Sequence, residues 1–307
     1  MSISVVINTK NMAETIGQAI KSVQDFADEV IVVDMKSSDE TVAIAEKLGA
    51  KVFHYKEDLQ FADPARNFAL AKAKGDWIFV LDADEEVSPD LAELLKKIVA
   101  NQVQTEFQGD CYFIPRQNIV FGEVMQHTGW WPDHQLRFFK NGVVQWTDKV
   151  HTHPLTTGKV IQLAANPKIA IIHHNYQTVA QFIDRLNRYT TLELAKRTGT
   201  NFTAQKLIQS FSSELFRRLF VSEGVKDGLH GLSLSFLQSF YELTVFLKQW
   251  QTENFLDKTT SKEVVSALNT FQNDLNYWIA DWHVKNTSGL SKLYWMIKRK
   301  MTAHAVQ

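Results

Sequence analysis

The chain has 307 residues, 45% hydrophobic and 22% charged, enough to bury one large core or two joined ones in a folded soluble protein. Lys and Arg total 33 against 34 Asp and Glu, so the chain offers no overall basic field of the kind that holds nucleic acid, and nucleic acid is not expected as a partner. A single cysteine, Cys111, excludes an internal disulfide and any cysteine-based zinc site, and it fits a reducing compartment.

The first hundred residues alternate apolar runs with helical patterns. "ISVVIN" (Ile3 to Asn8), "EVIVVD" (Glu29 to Asp34), "KVFHY" (Lys51 to Tyr55) and "WIFVLD" (Trp77 to Asp82) are short, rich in β-branched and aromatic residues, and read as buried strands. Between them, "AETIGQAIKSVQDFA", "SDETVAIAEKLG" and "DPARNFALAKAKG" read as helices. The second starts at a cap, Ser38 or Asp39, and stops at Gly49; the third has Pro64 in its first turn and stops at Gly75. This rhythm predicts an α/β fold with a mostly parallel central sheet flanked by helices. Ligands of such sheets bind beyond the carboxyl ends of the strands, so Asn8 to Asn11, Asp34 and Asp82 to Asp84 should face one crevice.

A helix follows from Asp90 to about Ala100, and then the texture changes. "CYFIPRQNIVFG" and "HQLRFFKNGVVQWTDKVHTHP" read as aromatic strands and hairpins, with a turn at Asn141-Gly142. From about Val179 to Thr198, Ala204 to Val221, Leu229 to Trp250 and Lys262 to Val284 the pattern is helical, which puts a domain boundary near Gln177. No window reaches the ~18 apolar residues of a spanning helix, and the start has no basic n-region, so neither a span nor export is expected.

Four acids in five residues, Asp82, Asp84, Glu85 and Glu86, close the fourth strand. Carboxylates that close repel one another and call for a cation. Continued as a strand, Asp82 and Asp84 point the same way and converge on one Mg2+ or Mn2+ through oxygen ligands; the other reading is a solvated acidic loop before a helix. Asp34 suits a base or ribose contact, or a helix cap. Arg66 suits a phosphate or the acid cluster, or a plain surface position. In "HTGWWPDHQLRFF", Trp130 and Trp131 can stack on a sugar while Asp133 serves as general base; the alternative is a core Trp pair with a turn Asp. Histidines cluster at His151 and His153 and at His173 and His174. One of them is expected to complete the metal shell around Asp84, although a lone His is more often structural. After Asp281 there is no acid, while Lys285, Lys292, Lys298, Arg299 and Lys300 are mixed with Trp, Tyr and Leu, which suits an anionic membrane surface as well as a helix with a solvated basic side.

Taken in order, "SVVINTKN", "ADEVIVVDMKSSDETVAIAEKLGAKV", "ARNFALAKAKGDWIFVLDADEEVSPDL", "YFIPRQNIVFG", "GWWPDHQLRFFKNG", "VHTHP", "IIHHNY" and "FIDRLNRYTTLELAKR" resemble the family 2 glycosyltransferases of the Rossmann-like GT-A fold, and within them the bacterial lipopolysaccharide core subgroup. The resemblance implies a nucleotide-sugar donor, most often UDP-linked, a divalent cation, Mn2+ or Mg2+, and inversion at the anomeric carbon. It places Thr9, Lys10, Asn11, Asp34, Arg66 and Asp82 at the nucleotide, and Asp84 with Asp82 at the metal, where His151 is the histidine expected from the cluster to join them. Asp133 falls at the catalytic base, with Trp130, Trp131 and His173 toward the acceptor.

Two departures stand out: Met12 follows the Lys10-Asn11 pair where the family has an acid, and Thr152 follows His151 where an acid is usual. The domains implied are a transferase domain over 1–177, with its nucleotide-sugar half at about 1–100 and its acceptor half at about 101–177, and a helical region over 178–307. The acceptor implied is a saccharide or glycolipid, and the place is the cytoplasm, with peripheral attachment to the inner face of the membrane. Rival readings are a non-catalytic sugar-nucleotide or glycan binding protein at the membrane, and an Asp-based phosphotransferase. The latter normally carries its Asp-x-Asp after the first strand, with Thr or Val where this chain has Glu86.

Overall fold

The structure is a computed structural model that describes residues 1–57, 63–146, 154–194 and 202–303. The chain forms two compact units, Met1–Val120 with Trp130–Asn175, and Phe121–Gly129 with Tyr176–Gln307.

In the first unit, β1 (Ile3–Thr9), β2 (Glu29–Asp34), β3 (Lys51–His54) and β4 (Trp77–Asp82) alternate with α1 (Ile16–Lys21), α2 (Thr41–Lys47) and α3 (Asp63–Leu70). The strands pair in parallel in the order β4, β1, β2, β3, as the buried apolar runs require. After β4 come β5 (Glu85–Val87), α4 (Pro89–Val99), β6 (Cys111–Ile114) and β7 (Arg116–Val120). Ser88 caps α4 by accepting from the Leu91 N–H, with Pro89 at the first helical position. Past β8 (Glu123–Val124), which lies in the second unit, the first unit resumes with β9 (Gln135–Lys140), β10 (Val144–Gln145), β11 (Leu155–Thr156), β12 (Val160–Gln162) and β13 (Ile171–Tyr176). β9 joins β4 antiparallel, β6 pairs antiparallel with β9, and β12 runs parallel to β6, which completes a seven-stranded sheet. β13 pairs antiparallel with β5 in a second, smaller sheet.

Both faces of the large sheet are buried. On one, Phe138 of β9 stacks on Trp77 with centroids 4.7 Å apart and lies among Phe79 and Tyr112; on the other, Phe139 packs against Trp146. Two helices are shorter than the sequence pattern suggests. The apolar stretch after Lys21 continues as turns, and α2 begins at Thr41, where Asp39 accepts from the Thr41 N–H and hydroxyl.

The second unit is helical: α5 (Val179–Leu194), α6 (Ala204–Phe216), α7 (Gly228–Thr252), α8 (Ser261–Asn286) and α9 (Gly289–Ala303). Thr260 and Glu263 form a reciprocal capping box at the start of α8. α6 runs into a π turn over Arg217–Val221, where the sequence pattern reads one continuous helix. The excursion Phe121–Gly129 belongs here because its polar groups are satisfied here. The Asp227 carboxylate accepts from the His127 and Thr128 side chains and from the His127 N–H, and Arg218 donates to the Thr128 carbonyl. No local pattern announces this, because the partners lie about a hundred positions away. No helix among the described residues is long and apolar enough to cross a membrane.

Phe138 is fully buried and touches three other rings, so Phe138→Ala should cost about 3–5 kcal/mol of stability. Urea unfolding followed by tryptophan fluorescence measures it.

Candidate active site

Sheet register brings the expected strand ends together. Thr9 lies opposite Asp34 in the β1–β2 pair, and Asn8 lies opposite Asp82 in the β1–β4 pair, so three polar ends share one level of the sheet. Asn8 and Thr9 are buried, and their side-chain polar atoms have no protein partner. Unsatisfied groups at that position are donors and acceptors held for a ligand or water. Lys10 and Asn11 follow in the turn, with Asn11 in the left-handed region (φ 53°) and its Oδ1 accepting from the Ser38 N–H. Asp34 accepts from the Ser37 N–H at 3.1 Å, and its other oxygen lies 3.3 Å from Nδ1 of His54, so much of this carboxylate holds its own turn.

The acid run differs from its expected form. β4 stops at Asp82, and Ala83 and Asp84 make a turn into β5, so the two-residue alternation that would aim Asp82 and Asp84 at one point ends at Asp82. Asp82 instead meets two arginines: Arg66 Nη2 donates to Oδ1 at 2.9 Å, and Arg137 Nη2 donates to Oδ2. Arg137 also donates to Oε1 of Glu85 at 2.7 Å, and Arg116 Nη1 reaches the same oxygen at 3.0 Å. Glu85 is fully buried and Arg137 is 4% exposed. Arg116 continues the chain to Asp133, its Nε and Nη2 lying 2.9 and 2.5 Å from Oδ2.

Three carboxylates thus alternate with three guanidinium groups. Burial works against the charged form of Asp82, but the adjacent Arg137 and Arg66 hold it well below the usual carboxylate range. For Asp133, burial also opposes ionisation, and Arg116, Asn118 and Gln135 outweigh it, so its pKa is lowered. Burial likewise disfavours the charged form of Arg137, and Asp82 and Glu85 more than restore it.

Asp133 sits two residues beyond Trp131 and is further fixed by Gln135 Nε2 at 2.7 Å and Asn118 Nδ2 at 3.2 Å. Trp130 and Trp131 are half-buried beside it, and the Trp130 carbonyl accepts from Asn118 at 2.8 Å. Since Asn118 donates through Nδ2 to Asp133 and Trp130, its Oδ1 faces Nδ1 of His173 at 2.7 Å and must accept from it. In the neutral ring that leaves Nε2 of His173 as an acceptor, 3.6 Å from Oδ2 of Asp84. A carboxylate oxygen and an imidazole nitrogen facing each other at that distance are atoms of the kind that hold a cation. The residues present therefore offer one carboxylate oxygen and one imidazole nitrogen to a metal. No group of three such side chains converges among the described residues, and His151 lies outside them. His173 is 6% exposed and faces Asp84, which sets it apart from an open acceptor surface. His174 pairs with Glu86 at 2.6 Å, so each of the four acids in the run has a positive or titratable neighbour.

The sequence pattern of Glycosyl transferase family 2 matches residues 4–163, about half of the chain. The chain belongs to that family. The family 2 match spans β1 to the end of the large sheet, and the expected α/β class with a mostly parallel sheet and a C-terminal helical region is what the structure has. An uncharacterized glycosyltransferase of Rickettsia bellii is 49% identical over 105 residues, 34% of this chain and 35% of that protein. The chain covers about a third of the length of such curated relatives. Among solved structures, the 1-349 fragment of TarS from S. aureus is 17% identical with a TM-score of 0.42, covering 98% of this chain and 89% of that one. Glucosyl-3-phosphoglycerate synthase from Mycobacterium tuberculosis, crystallised with Mn2+, UDP and phosphoglyceric acid, is 20% identical with a TM-score of 0.32, covering 46% of this chain and 56% of that one.

Arg116, Arg137, Glu85 and Asn118 had no place among the expected site residues. The signal for Arg137 is legible afterwards: a charge in the middle of "QLRFF", with apolar residues on both sides, cannot reach water and needs a buried acid.

Two measurements follow from the ion chain. Arg137→Met leaves Glu85 and Asp82 short of a partner and should cost about 3–5 kcal/mol in urea unfolding. The folded pKa values of Asp82 and Asp133 lie below the unfolded value of about 3.9. Their contribution is therefore complete above that pH and is lost as pH falls through the folded values. Stability should drop on the acid side, and less steeply in Asp133→Asn.

Proposed function

We propose that this chain is a metal-dependent, inverting hexosyltransferase that takes a sugar from a nucleotide donor, UDP-linked, and places it on a hydroxyl of a saccharide or lipid-linked glycan such as a lipopolysaccharide core. The supporting observation is the line Asp133, Asn118, His173, Asp84: Asn118 hydrogen-bonds to both Asp133 and His173, and Nε2 of His173 lies 3.6 Å from Asp84, which puts an ionised, Arg116-paired carboxylate at one end and two atoms able to ligate a metal at the other.

In this reading Thr9, Lys10, Asn11 and Asp34 line the nucleoside, at the level of the sheet where the polar atoms of Asn8 and Thr9 are unmatched. Asp84 and His173 hold the ion, with His151 the remaining candidate. Asp82, clamped by Arg66 and Arg137, orients the turn that carries Asp84 and contributes to the nucleotide site without ligating the ion, because two guanidinium groups already share its oxygens. Two protein ligands of this kind would suit Mg2+ or Mn2+, ions that are commonly held by few protein side chains together with substrate phosphates. The ion supplies charge stabilisation to the departing diphosphate.

Asp133 takes the proton. The acceptor oxygen bonds to the anomeric carbon as the carbon–oxygen bond to the diphosphate breaks. The electron pair leaves with the nucleotide, and the hydroxyl proton passes to the Asp133 carboxylate. A carboxylate with a lowered pKa is a weak base but is ionised at neutral pH, and an attacking hydroxyl becomes strongly acidic as its new bond forms. Trp130 and Trp131, just before Asp133 in the chain and half-buried, would give the acceptor ring a face to stack on.

Thermal shift with UDP, GDP and dTDP, each with and without Mn2+, should show metal-dependent stabilisation by UDP that is lost in Asp84→Ala. Asp133→Asn should keep that shift while turnover of UDP-sugars falls by roughly 10²–10⁴. Absence of a shift with every nucleotide, or unchanged turnover in Asp133→Asn, would overturn the assignment.

A further inference from the structure

The C-terminal helix α9 is amphipathic in an unusual sense, with its apolar stripe turned away from the protein. It packs on α8 through Trp295, which stacks on His283 with centroids 3.9 Å apart, and through Arg299, whose Nη1 lies 2.6 Å from Asp281. Successive residues of a helix are about 100° apart, so Trp295, Arg299 and Thr302 form one side. Leu290, Leu293, Tyr294, Ile297 and Met301 then fall within an arc of about 100° on the opposite side. The structure agrees: these five are 86, 55, 53, 55 and 70% exposed.

The charges complete the pattern. Lys298 and Lys300 flank the stripe, one on each side, and both are exposed. The helix carries no acid. The last acid before it, Asp281, is already bridged by Lys285 at 2.8 Å and by Arg299. An aqueous surface gains nothing from a row of large apolar side chains, and a helix docked on its own protein would turn them inward.

We propose that the outer face of α9 seats in an anionic lipid surface, with the axis in the plane of the interface. Leu290, Leu293, Ile297 and Met301 would enter the boundary between headgroups and acyl chains. Tyr294 would sit at headgroup level, and the two lysines would reach outward to lipid phosphates along their aliphatic stems. A second copy of the chain is a poorer occupant, because pairing along the stripe would set the lysines of one copy against those of the other. An apolar protein groove would leave both lysines without a counterpart. The stripe is five residues on one short helix, so the attachment is peripheral and salt-sensitive. The inference does not depend on the transferase reading, since none of these residues belongs to the proposed site.

The test is co-sedimentation of the full chain with vesicles of phosphatidylcholine alone and of phosphatidylcholine mixed with phosphatidylglycerol, at low and high salt. Wild type should sediment with the mixed vesicles only, and less as salt rises. Ile297→Asp and the double variant Lys298→Glu/Lys300→Glu, with unchanged thermal melts, should each bind about tenfold more weakly or worse. Wild type remaining in the supernatant, or both variants sedimenting like wild type, would overturn the proposal. So would an Ile297-dependent dimer in sedimentation velocity without vesicle binding, which would assign the stripe to a second copy.

Discussion

Everything at the candidate site depends on a line of paired charge, buried at its centre in Glu85 and Arg137 and partly buried toward its ends. Arg66, Asp82, Arg137, Glu85, Arg116 and Asp133 alternate in sign through hydrogen-bonding contacts, and they come from α3, β4, β9, β5, β7 and the loop before β9. Each ion would be costly in an apolar interior by itself, and each is tolerable because its neighbours carry the opposite sign. The geometry is therefore over-determined: moving any one of these elements separates a pair. Rigidity of this kind is what a transferase needs, since a general base and a leaving-group site must hold their separation while a substrate passes between them.

The line also divides the work among four neighbouring acids. Asp82 and Glu85 are spent on arginines, and Glu86 is paired with His174, so structure absorbs three of the charges that made the stretch conspicuous. Asp84 is turned the other way by the bend after β4 and meets a histidine whose tautomer is set from behind by Asn118. A buried amide with a forced orientation thereby joins Asp133 to His173, one through each of its polar atoms.

The helical unit follows a different logic. Its core is a set of aromatic contacts, such as Phe216 on Phe271 and Phe220 on Trp278, together with polar clamps such as Asp227 on His127 and Thr128. α9 contributes little to that core. It packs along α8, where a stacked pair and an ion pair join the two helices, and it spends its apolar side on the outside.

The sequence by itself determined the α/β class, the four parallel strands and the helical C-terminal region, because buried strands and amphipathic helices write their period into local composition. It also placed Thr9, Asp34 and Asp82 at one level, since strand ends in a parallel sheet share an edge. Tertiary structure alone decided what those charges do. Whether Asp82 meets a metal or an arginine depends on Arg137, 55 positions away, and on a turn that ends the strand at Asp82, two residues before the alternation would carry Asp84 to the same point. The link between Asn118 and His173, and the excursion Phe121–Gly129, likewise rest on partners 55 to 100 positions apart. Pairing at that range leaves no period in the chain. It is fixed only when the core closes and each buried ion must find its opposite.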